Sequence, residues 1–392
     1  MYNFENILDR HNNGSKKWNL EYIEKRFQVT NINKYFPLFI ADMDFKLPSE
    51  IINPIIDITS QGDFGYFDVK KSFYNSVIKW YKNKYNCEIE KNWIVPSISA
   101  IATMNVILEY LFHKNDRILI FTPVYGPFKD VITNNEFELV SSNLLLENDT
   151  YKIDFCNLEN QLDKFNVKGI ILCNPHNPSG VCWTKNELNK LIDICKSRNI
   201  IIISDEVHGD LTLANNKFNS LSKYLNYYKK IIIISSPNKT FNIAGLDIST
   251  FLCSDNELKL QLENTFSKKK LNPNRIGCEV LTICYEKGAN WVNSLCFNIK
   301  ENIELVTKML NIDGIKVIKP DAGYLLWVKL EGIKDIDNFI INLAKETGVL
   351  LETGSRFVGN NNDFLRINVA TNKKILKEAI NSFLHFYKNY KK

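Results

Sequence analysis

The chain is poor in the residues and runs that mark metal-binding, disulfide-bonded and membrane-spanning proteins. Its 392 residues include nine cysteines, an odd number with no C-x-x-C pair, and only five histidines. No apolar run reaches the ~20 residues that a membrane helix needs. Cysteines such as Cys173, Cys195 and Cys253 lie inside or beside apolar runs, and we expect them, like Cys182, to be small buried apolar side chains in a reducing compartment. We therefore expect no metal site, no disulfide framework and no membrane segment.

An excess of one charge is also missing. Lysine and arginine number 49 against 44 acidic residues, and the longest basic run is the three lysines 268–270. Such a run usually forms a solvated helix face, so we expect no nucleic-acid partner. Residues 1–10 mix acidic, basic and apolar side chains, which is unlike a signal peptide and favours a cytoplasmic protein. A length of 392 residues with 45% apolar content indicates a globular protein of about two domains.

Short β-branched runs alternate with amphipathic segments through the middle of the chain. Continuous apolar runs of about five residues are typical of strands buried on both faces of a parallel sheet. A helical pattern extends from Ser97 to Leu111, and Thr184 with Glu187 forms a capping box that opens a helix through Cys195. The alternation predicts an α/β fold with a mostly parallel sheet. The predicted strands are residues 117–123, 169–175, 200–205 and 231–235.

The last third of the chain has a different pattern, which predicts a smaller α+β domain. A long helix is expected over 290–310, and its continuation alternates strands with helices. We therefore divide the chain into an N-terminal segment, 1–45, that joins the small domain, a large domain, 46–285, and a small C-terminal domain, 286–392. The expected later elements are strands at 315–318, 324–328 and 364–368, a helix at 336–347 and a final helix.

Polar side chains follow the ends of the four predicted strands. Ligands of open α/β sheets bind at the carboxyl ends of the strands. There the sequence places an aromatic ring, an amide, a carboxylate, an imidazole and a lysine. This combination suits a pyridine cofactor, which needs a stacking surface, a carboxylate at the ring nitrogen and an amine near its carbonyl. The residues are Tyr125, Asn177, Asp205, His208 and Lys239.

The order and spacing of these motifs resemble the fold-type I pyridoxal 5′-phosphate (PLP) enzymes of the class I/II aminotransferase family. Within that family the chain most resembles the cystathionine β-lyase or cysteine C–S lyase branch, over about residues 4–370. The resemblance implies an aspartate-aminotransferase-like fold, a PLP cofactor and a small amino-acid substrate. The motifs that carry it are Asp9-Arg10, Ser15-x-Lys17-Trp18, Ile40-Ala-Asp-Met-Asp-Phe45, Phe64-Gly-Tyr66, Cys173-Asn-Pro-His-Asn-Pro178, Asn177-Pro-Ser-Gly180, Trp183-Thr184, Ser204-Asp-Glu-Val-His208, Ser236-x-x-Lys239 and Lys239-Thr-Phe-Asn-Ile-Ala-Gly245.

The resemblance implies a role for each residue at the strand ends. Lys239 would hold the cofactor as a Schiff base, and its released amine would act as the general base. Asp205 would keep the pyridine nitrogen protonated. Asn177 and His208 would hydrogen-bond the 3′ oxygen of the cofactor, and Tyr125 would stack on its ring. For His208 and Tyr125, a purely structural role is the alternative.

The phosphate group would be bound by the loop of residues 96–99, which includes Ser97 and Ile98, and by Ser236. Tyr66 matches a tyrosine that reaches the phosphate from the neighbouring subunit, so the resemblance implies a homodimer with shared active sites. One position departs from the aminotransferase pattern. Eight residues after Lys239, where an arginine commonly pairs with the phosphate, this chain has Asp247. An anion there would repel the phosphate.

Arg366 lies in the middle of a strand pattern, where an unpaired arginine is costly. The resemblance makes it the clamp for the α-carboxylate of the substrate, since a guanidinium can make two parallel hydrogen bonds to a carboxylate. Arg356, in a loop nearby, is expected at the surface. Asp42 and Asp44 are expected only to order the chain that enters the large domain.

The resemblance implies β-elimination of cystathionine or another cysteine S-conjugate to a thiol, pyruvate and ammonia. An aminotransferase that uses an oxo-acid acceptor is the first alternative, although His208 and Asp247 favour the lyase. A regulatory or scaffolding protein that retains the fold is the second, and Asp247 and the serine-rich phosphate loop are its support. The leaving group and any assembly beyond a dimer are not predicted.

Overall fold

A computed structural model describes residues 2–30, 34–213 and 218–390 of the chain. No helix in these ranges is long and apolar enough to cross a membrane. The α-helices are α1 Leu20–Phe27, α2 Ser49–Ser60, α3 Lys71–Trp80, α4 Ala100–Leu111, α5 Pro127–Thr133, α6 Phe155–Lys164, α7 Lys185–Ser197, α8 Asn256–Lys268, α9 Arg275–Lys287, α10 Ala289–Met309, α11 Ile336–Thr347 and α12 Lys373–Tyr390. A π-helix covers Tyr81–Tyr85, and short 3₁₀ helices cover Lys91–Trp93, Gly209–Leu211, Leu221–Tyr224, Ala244–Leu246 and Gly354–Arg356.

The strands form one large sheet, one four-stranded sheet and three short pairs. Their bounds are β1 Phe36–Pro37, β2 Ile94–Ser97, β3 Arg117–Thr122, β4 Val124–Tyr125, β5 Glu138–Asn143, β6 Leu145–Glu147, β7 Thr150–Lys152, β8 Val167–Cys173, β9 Ile201–Asp205, β10 Ile231–Ser235, β11 Ser249–Cys253, β12 Ile315–Val317, β13 Leu325–Leu330, β14 Val349–Leu350, β15 Glu352–Thr353, β16 Phe357–Val358 and β17 Phe364–Asn368.

The large sheet has the order β2-β11-β10-β9-β8-β3-β5 and confirms the predicted α/β class. The four predicted strands, β3, β8, β9 and β10, are its parallel centre. Their isoleucine runs alternate between the two faces: Ile231 and Ile233 pack into one apolar cluster, and Ile232 and Ile234 into the other. Both faces are covered by helices, which is why the runs contain no alternating polar residues.

The two strands at one edge of the sheet, β2 and β11, are antiparallel to their neighbours and were not predicted. Strand β2 has four residues and contains Pro96, so its sequence does not show an alternating pattern. Ser97 is therefore the last residue of a strand, and the helix predicted to begin there begins at Ala100. The capping box at Thr184 and Glu187 is present and opens α7.

The C-terminal part contains the sheet β12-β13-β17-β15, with α11 packed against β15 and α12 packed against α10 and α11. The N-terminal segment joins this part, because β1 pairs with β14 and the backbone N–H of Asn368 donates to the carbonyl oxygen of Leu38 at 2.8 Å. The predicted boundary near residue 285 lies in the last turn of α9. The division into 1–45, 46–285 and 286–392 stays a prediction.

Candidate active site

A cavity of about 490 Å³ lies where the carboxyl ends of β8, β9 and β10 meet the start of α4 and the strand β17. Parallel neighbours end at the same edge of a sheet, so the residues that follow them come together although they are far apart in sequence. The cavity is lined by seven of the predicted site residues: Tyr125, Asn177, Asp205, His208, Ser236, Lys239 and Arg366. Their individual roles stay predictions.

Lys239 lies in the turn after β10, partly exposed to the cavity. Its Nζ donates to the carbonyl oxygen of Ala41 at 3.0 Å. Burial lowers the pKa of the Lys239 amine, and the positive charge of Arg366 lowers it further, whereas Asp42 and Asp205 act in the opposite direction. A lowered pKa increases the neutral fraction of the amine, which is the form that can attack a carbonyl or accept a proton.

Asp205 ends β9 and is buried. Its Oδ1 accepts from the backbone N–H of Val207 at 3.1 Å. Burial raises the pKa of Asp205 to about 6, although the Val207 N–H and the charge of Lys239 favour the ionised form. This hydrogen bond and the charge of Lys239 offset only part of the cost of burying the carboxylate. Asp205 is therefore suited to a cationic partner, such as a protonated ring nitrogen.

His208 follows in the same loop and is also buried. Burial, then the charges of Lys239 and Arg366, lower its pKa to about 3, so the imidazole is neutral near pH 7. A neutral imidazole has one N–H donor and one acceptor nitrogen. It can therefore donate a single hydrogen bond to an oxygen in the cavity without adding charge.

Arg366 lies in the centre of β17, buried below the cavity surface. Its Nη1 donates to Asn177 Oδ1 and its Nη2 to the carbonyl oxygen of Phe39, both at 3.1 Å. Its Nε has no hydrogen-bond partner among the described residues, and Glu352 approaches Nη2 only to 3.9 Å. A buried guanidinium with a spare donor is suited to a carboxylate ligand.

Tyr125 lies on the short strand β4, which pairs with β16 so that Tyr125 is opposite Phe357. Its backbone N–H donates to the carbonyl oxygen of Asn177 at 3.1 Å, which connects the loops after β3 and β8. The ring contacts Phe128 edge-on, with 5.8 Å between the centroids. Burial raises the pKa of the Tyr125 hydroxyl, which remains protonated.

The cavity wall beside α4 consists of Ser99, Ala100 and Ile101 rather than Ser97 and Ile98. Ser97 is fully buried, and its hydroxyl lies 2.7 Å from that of Thr103. The first turn of α4 has no capping side chain, since Ser99 makes no capping hydrogen bond. The unpaired N–H groups of this turn can accept an anion, and the assignment of Ser97 and Ile98 to the phosphate stays a prediction.

The other two predicted phosphate ligands, Ser236 and Tyr66, do not direct a free donor into the cavity of this chain. The Ser236 hydroxyl donates to the carbonyl oxygen of Ile248 at 2.7 Å, so it must rotate before it can donate to a ligand. Tyr66 is fully exposed and lies in a separate loop with Phe64, outside the cavity of its own chain. Asp247 lines the cavity, in a left-handed backbone conformation with φ +45°.

Three further charged side chains, those of Arg26, Glu352 and Arg356, line the cavity, and they were not assigned to the site from the sequence. Arg26 binds Glu352 at 2.5 Å, and Arg356, whose side chain is 60% exposed as expected, also lines the cavity and lies 3.5 Å from Glu352. Glu352 is opposite Arg366 in the register of β15 and β17. No motif marks these residues, because strand pairing brings Glu352 to Arg366 and a contact across 326 positions brings Arg26 to Glu352.

Two of the cysteines were expected to be structural. Cys173 lines the cavity, but burial raises the pKa of its thiol well above the ordinary value, so the thiol stays protonated. Burial raises the pKa of Cys182 as well. The described residues include no cluster of histidine, cysteine and carboxylate side chains that could hold a metal ion.

The chain is similar to curated and structurally characterised proteins over nearly its whole length. It is 27% identical to cystathionine beta-lyase PatB from Bacillus subtilis over 384 residues, which are 96% of this chain and 98% of the relative. A PLP-bound putative aminotransferase from Clostridium difficile is 34% identical, with a TM-score of 0.92 and coverage of 99% and 100%. Cystalysin from Treponema denticola, whose crystal structure contains PLP, is 28% identical with a TM-score of 0.93 and complete coverage of both chains (100% each).

The family model for aminotransferase class I and II matches residues 34–383. This range contains the central sheet and all seven predicted site residues that line the cavity. The protein therefore belongs to the class I and II aminotransferase family.

Proposed function

We propose that the protein is a PLP-dependent C–S lyase that cleaves cystathionine or another cysteine S-conjugate to a thiol, pyruvate and ammonia. The observation that carries the proposal is the meeting of Lys239, Asp205, Asn177 and Arg366 in one cavity. The chain is similar over nearly its full length to proteins named cystathionine beta-lyase and cystalysin, and this similarity supports the lyase branch.

The cavity offers a residue or a helix end for each group of the cofactor, with one unfavourable charge, that of Asp247. The uncapped start of α4 can bind the phosphate, and Asp205 offers a buried carboxylate to the ring nitrogen. Asn177 and His208 can hydrogen-bond the 3′ oxygen, and Tyr125 can cover the ring. Asp247 opposes this fit, because it adds a carboxylate to the wall that includes the start of α4.

PLP, when bound, supplies an aldehyde for the substrate amine and a ring that accepts the electron pair released at Cα. Arg366 binds the substrate α-carboxylate and so fixes the direction of the Cα–H bond. The neutral amine of Lys239 removes the Cα proton, and the Cβ–S bond breaks with the sulfur leaving as a thiolate. Asp205, buried at the end of β9, would keep the ring nitrogen protonated when the cofactor is bound. Water then hydrolyses the remaining product to pyruvate and ammonia.

We further propose that the protein works in the cytoplasm as a homodimer with shared active sites. Tyr66 is fully exposed and Phe64 is 63% exposed, which leaves two large side chains without cover in the isolated chain. The resemblance implies that this tyrosine reaches the phosphate of the neighbouring subunit, which supports a shared site. Light scattering of the purified protein tests the dimer, and a monomer that retains full activity would contradict the shared site.

An aminotransferase is the alternative, and the PLP-bound relative from Clostridium difficile, titled a putative aminotransferase, is the observation that favours it. The deciding experiment incubates purified protein and PLP with L-cystathionine or a simple S-alkyl-cysteine, without an oxo acid. Sustained pyruvate release with one thiol per pyruvate supports the lyase. No pyruvate, but turnover once an oxo acid is added, would move the assignment to the aminotransferase.

A further inference from the structure

The segment of residues 39–44 forms part of the cavity wall and is held mainly by side chains rather than by a sheet. Ile40 and Ala41 line the cavity. Each of the carbonyl oxygens of residues 39–43 accepts a hydrogen bond from a side chain elsewhere in the chain. We call residues 39–44 the strap. Its backbone position therefore depends on the side chains that bind it.

Two of those hydrogen bonds come from the candidate active site itself. Lys239 Nζ donates to the Ala41 oxygen at 3.0 Å, and Arg366 Nη2 donates to the Phe39 oxygen at 3.1 Å. Asn368, two residues after Arg366 on β17, donates to the oxygens of Ile40 and Asp42 at 2.6 and 2.7 Å. A displacement of the strap would consequently move the amine and the guanidinium together.

The side of the strap that faces away from the cavity is bound by residues 10–18. Lys17 Nζ contacts Asp44 Oδ2 at 2.9 Å and the Asp42 carbonyl oxygen at 3.0 Å, and Trp18 Nε1 donates to Asp44 Oδ1 at 3.0 Å. Arg10 makes two hydrogen bonds to the Asp42 carboxylate, at 2.6 and 2.8 Å. Lys17 is fully buried, and a buried ion pair is retained only where every donor and acceptor is closely matched.

The strap is also bound to the loop that carries Lys239. Asn242 accepts from the backbone N–H of Met43 and donates to its carbonyl oxygen, both at 2.9 Å. Its backbone is in the left-handed region, at φ +55°, where asparagine is among the better tolerated residues. The site and the strap thus form one hydrogen-bonded unit, and residues 10–18 bind this unit on the side away from the cavity.

We propose that Arg10, Lys17 and Trp18 are positioning residues, which place the Lys239 amine and the Arg366 guanidinium through Asp42, Asp44 and the strap. Arg10, Lys17 and Trp18 do not line the cavity, so their effect is transmitted through the backbone of residues 39–43. The proposal rests on the proposed function, because it assigns to the strap the placement of groups that act on an amino-acid substrate.

The charge of Asp42 gives the proposal a spectroscopic signature. The charged and titratable groups that face Lys239 are Asp42, Asp205, Arg366 and His208. Asp42 raises the pKa of Lys239 and Arg366 lowers it. Without the Asp42 charge, the pKa of the lysine group should therefore fall. Without Arg10, the negative charge of Asp42 is no longer neutralised by a guanidinium, so the pKa of the lysine group should rise.

The test compares Asp42→Asn, Arg10→Gln, Arg10→Lys and Trp18→Phe, all loaded with PLP, in absorbance titrations of the bound cofactor and in pyruvate release. Asp42→Asn should lower the titration midpoint and Arg10→Gln should raise it, each by about half a pH unit or more. Both should reduce kcat at least tenfold, and Arg10→Lys should restore part of the loss. Lys34→Gln is the control, since it removes an exposed ion pair with Glu378 in the same N-terminal region.

Wild-type midpoints and kcat in folded Arg10→Gln and Asp42→Asn would overturn the proposal. A loss of kcat that follows only the fraction of unfolded protein would overturn it as well. If Arg10→Gln does not fold, Arg10→Lys and Trp18→Phe decide, because Trp18→Phe keeps an aromatic ring and loses one hydrogen bond to Asp44. If the wild type binds PLP but releases no pyruvate, the lyase assignment fails, and the midpoints of the variants still test the strap.

Discussion

Substitution of Arg366 provides a quantitative test of the substrate clamp. The guanidinium makes two hydrogen bonds of 3.1 Å, to Asn177 and to the Phe39 carbonyl, and its Nε is unpaired among the described residues. Its removal does not strand the nearby carboxylate, because Glu352 keeps Arg26 at 2.5 Å and Arg356 at 3.5 Å. Arg366→Gln and Arg366→Lys should therefore fold, and their effects should appear in the handling of substrate.

The size of the effect follows from the hydrogen bonds that a carboxylate would lose. Each hydrogen bond to a charged group contributes about 1.5–3 kcal/mol. Arg366→Gln removes the charge and one of two parallel donors, which should cost about 4 kcal/mol, or roughly a thousandfold in kcat/KM. Arg366→Lys keeps the charge but loses the two-point geometry, which should cost about 2 kcal/mol, or roughly thirtyfold.

The assay is pyruvate release over a range of substrate concentrations, with kcat and KM determined separately. Arg356→Gln is the matched control, because Arg356 lies on the same cavity wall and pairs with Glu352, yet its side chain is 60% exposed. The clamp predicts a large rise in KM for the Arg366 variants and less than a tenfold change for the control. Equal losses at both positions would indicate only a general effect of charge and would refute the clamp.

Three further predictions concern the cofactor. Lys239→Ala should abolish both turnover and the visible absorbance of bound PLP, measured on the same preparation. Asp247→Asn should tighten PLP binding in a fluorescence titration by about 1 kcal/mol, roughly fivefold in Kd, because it removes a like charge from the wall near α4. Burial raises the pKa of Asp205 to about 6, so the apo-protein loses stability as the pH rises from about 4, where this carboxyl ionises in the unfolded chain, to about 6, where it ionises in the folded protein. Apo Asp205→Asn should accordingly be about 3 kcal/mol more stable than the wild type at pH 8, and equally stable below pH 4, in urea unfolding.

The meeting of the cavity residues could be predicted because it follows from one rule of topology. Asp205 and Lys239 immediately follow strands whose isoleucine runs identify them, and neighbouring parallel strands end at the same edge. No knowledge of side-chain packing was needed for this step. Arg366 could be predicted from its unusual place in a strand, although its hydrogen bonds to Asn177 and Phe39 could not.

The start of α4 was not predicted correctly, because the local sequence does not show the strand that precedes it. Ser97 and Ile98 precede an amphipathic helix, and the sequence gives no sign that a short antiparallel edge strand ends there. The pairing of Ser97 with Ser249 across β2 and β11 fixes where the helix can begin, and that pairing joins residues more than 150 positions apart. Arg26 and Glu352 were missed for the same reason, since their contact spans 326 positions.

Burial and the charges of the cavity together explain why the pKa values of Lys239 and His208 are both lowered. The described lining has more cations than carboxylates: Lys16, Arg26, Lys239, Arg356 and Arg366 against Asp205, Asp247 and Glu352. Burial is the largest cause of the lowered pKa values of Lys239 and His208, and the charge of Arg366 adds to it. The excess of positive charge disfavours protonation of Lys239 and His208 and favours anionic ligands. A phosphate and an α-carboxylate would reverse the balance on binding, which should raise the proton affinity of Lys239 as it acts as the base.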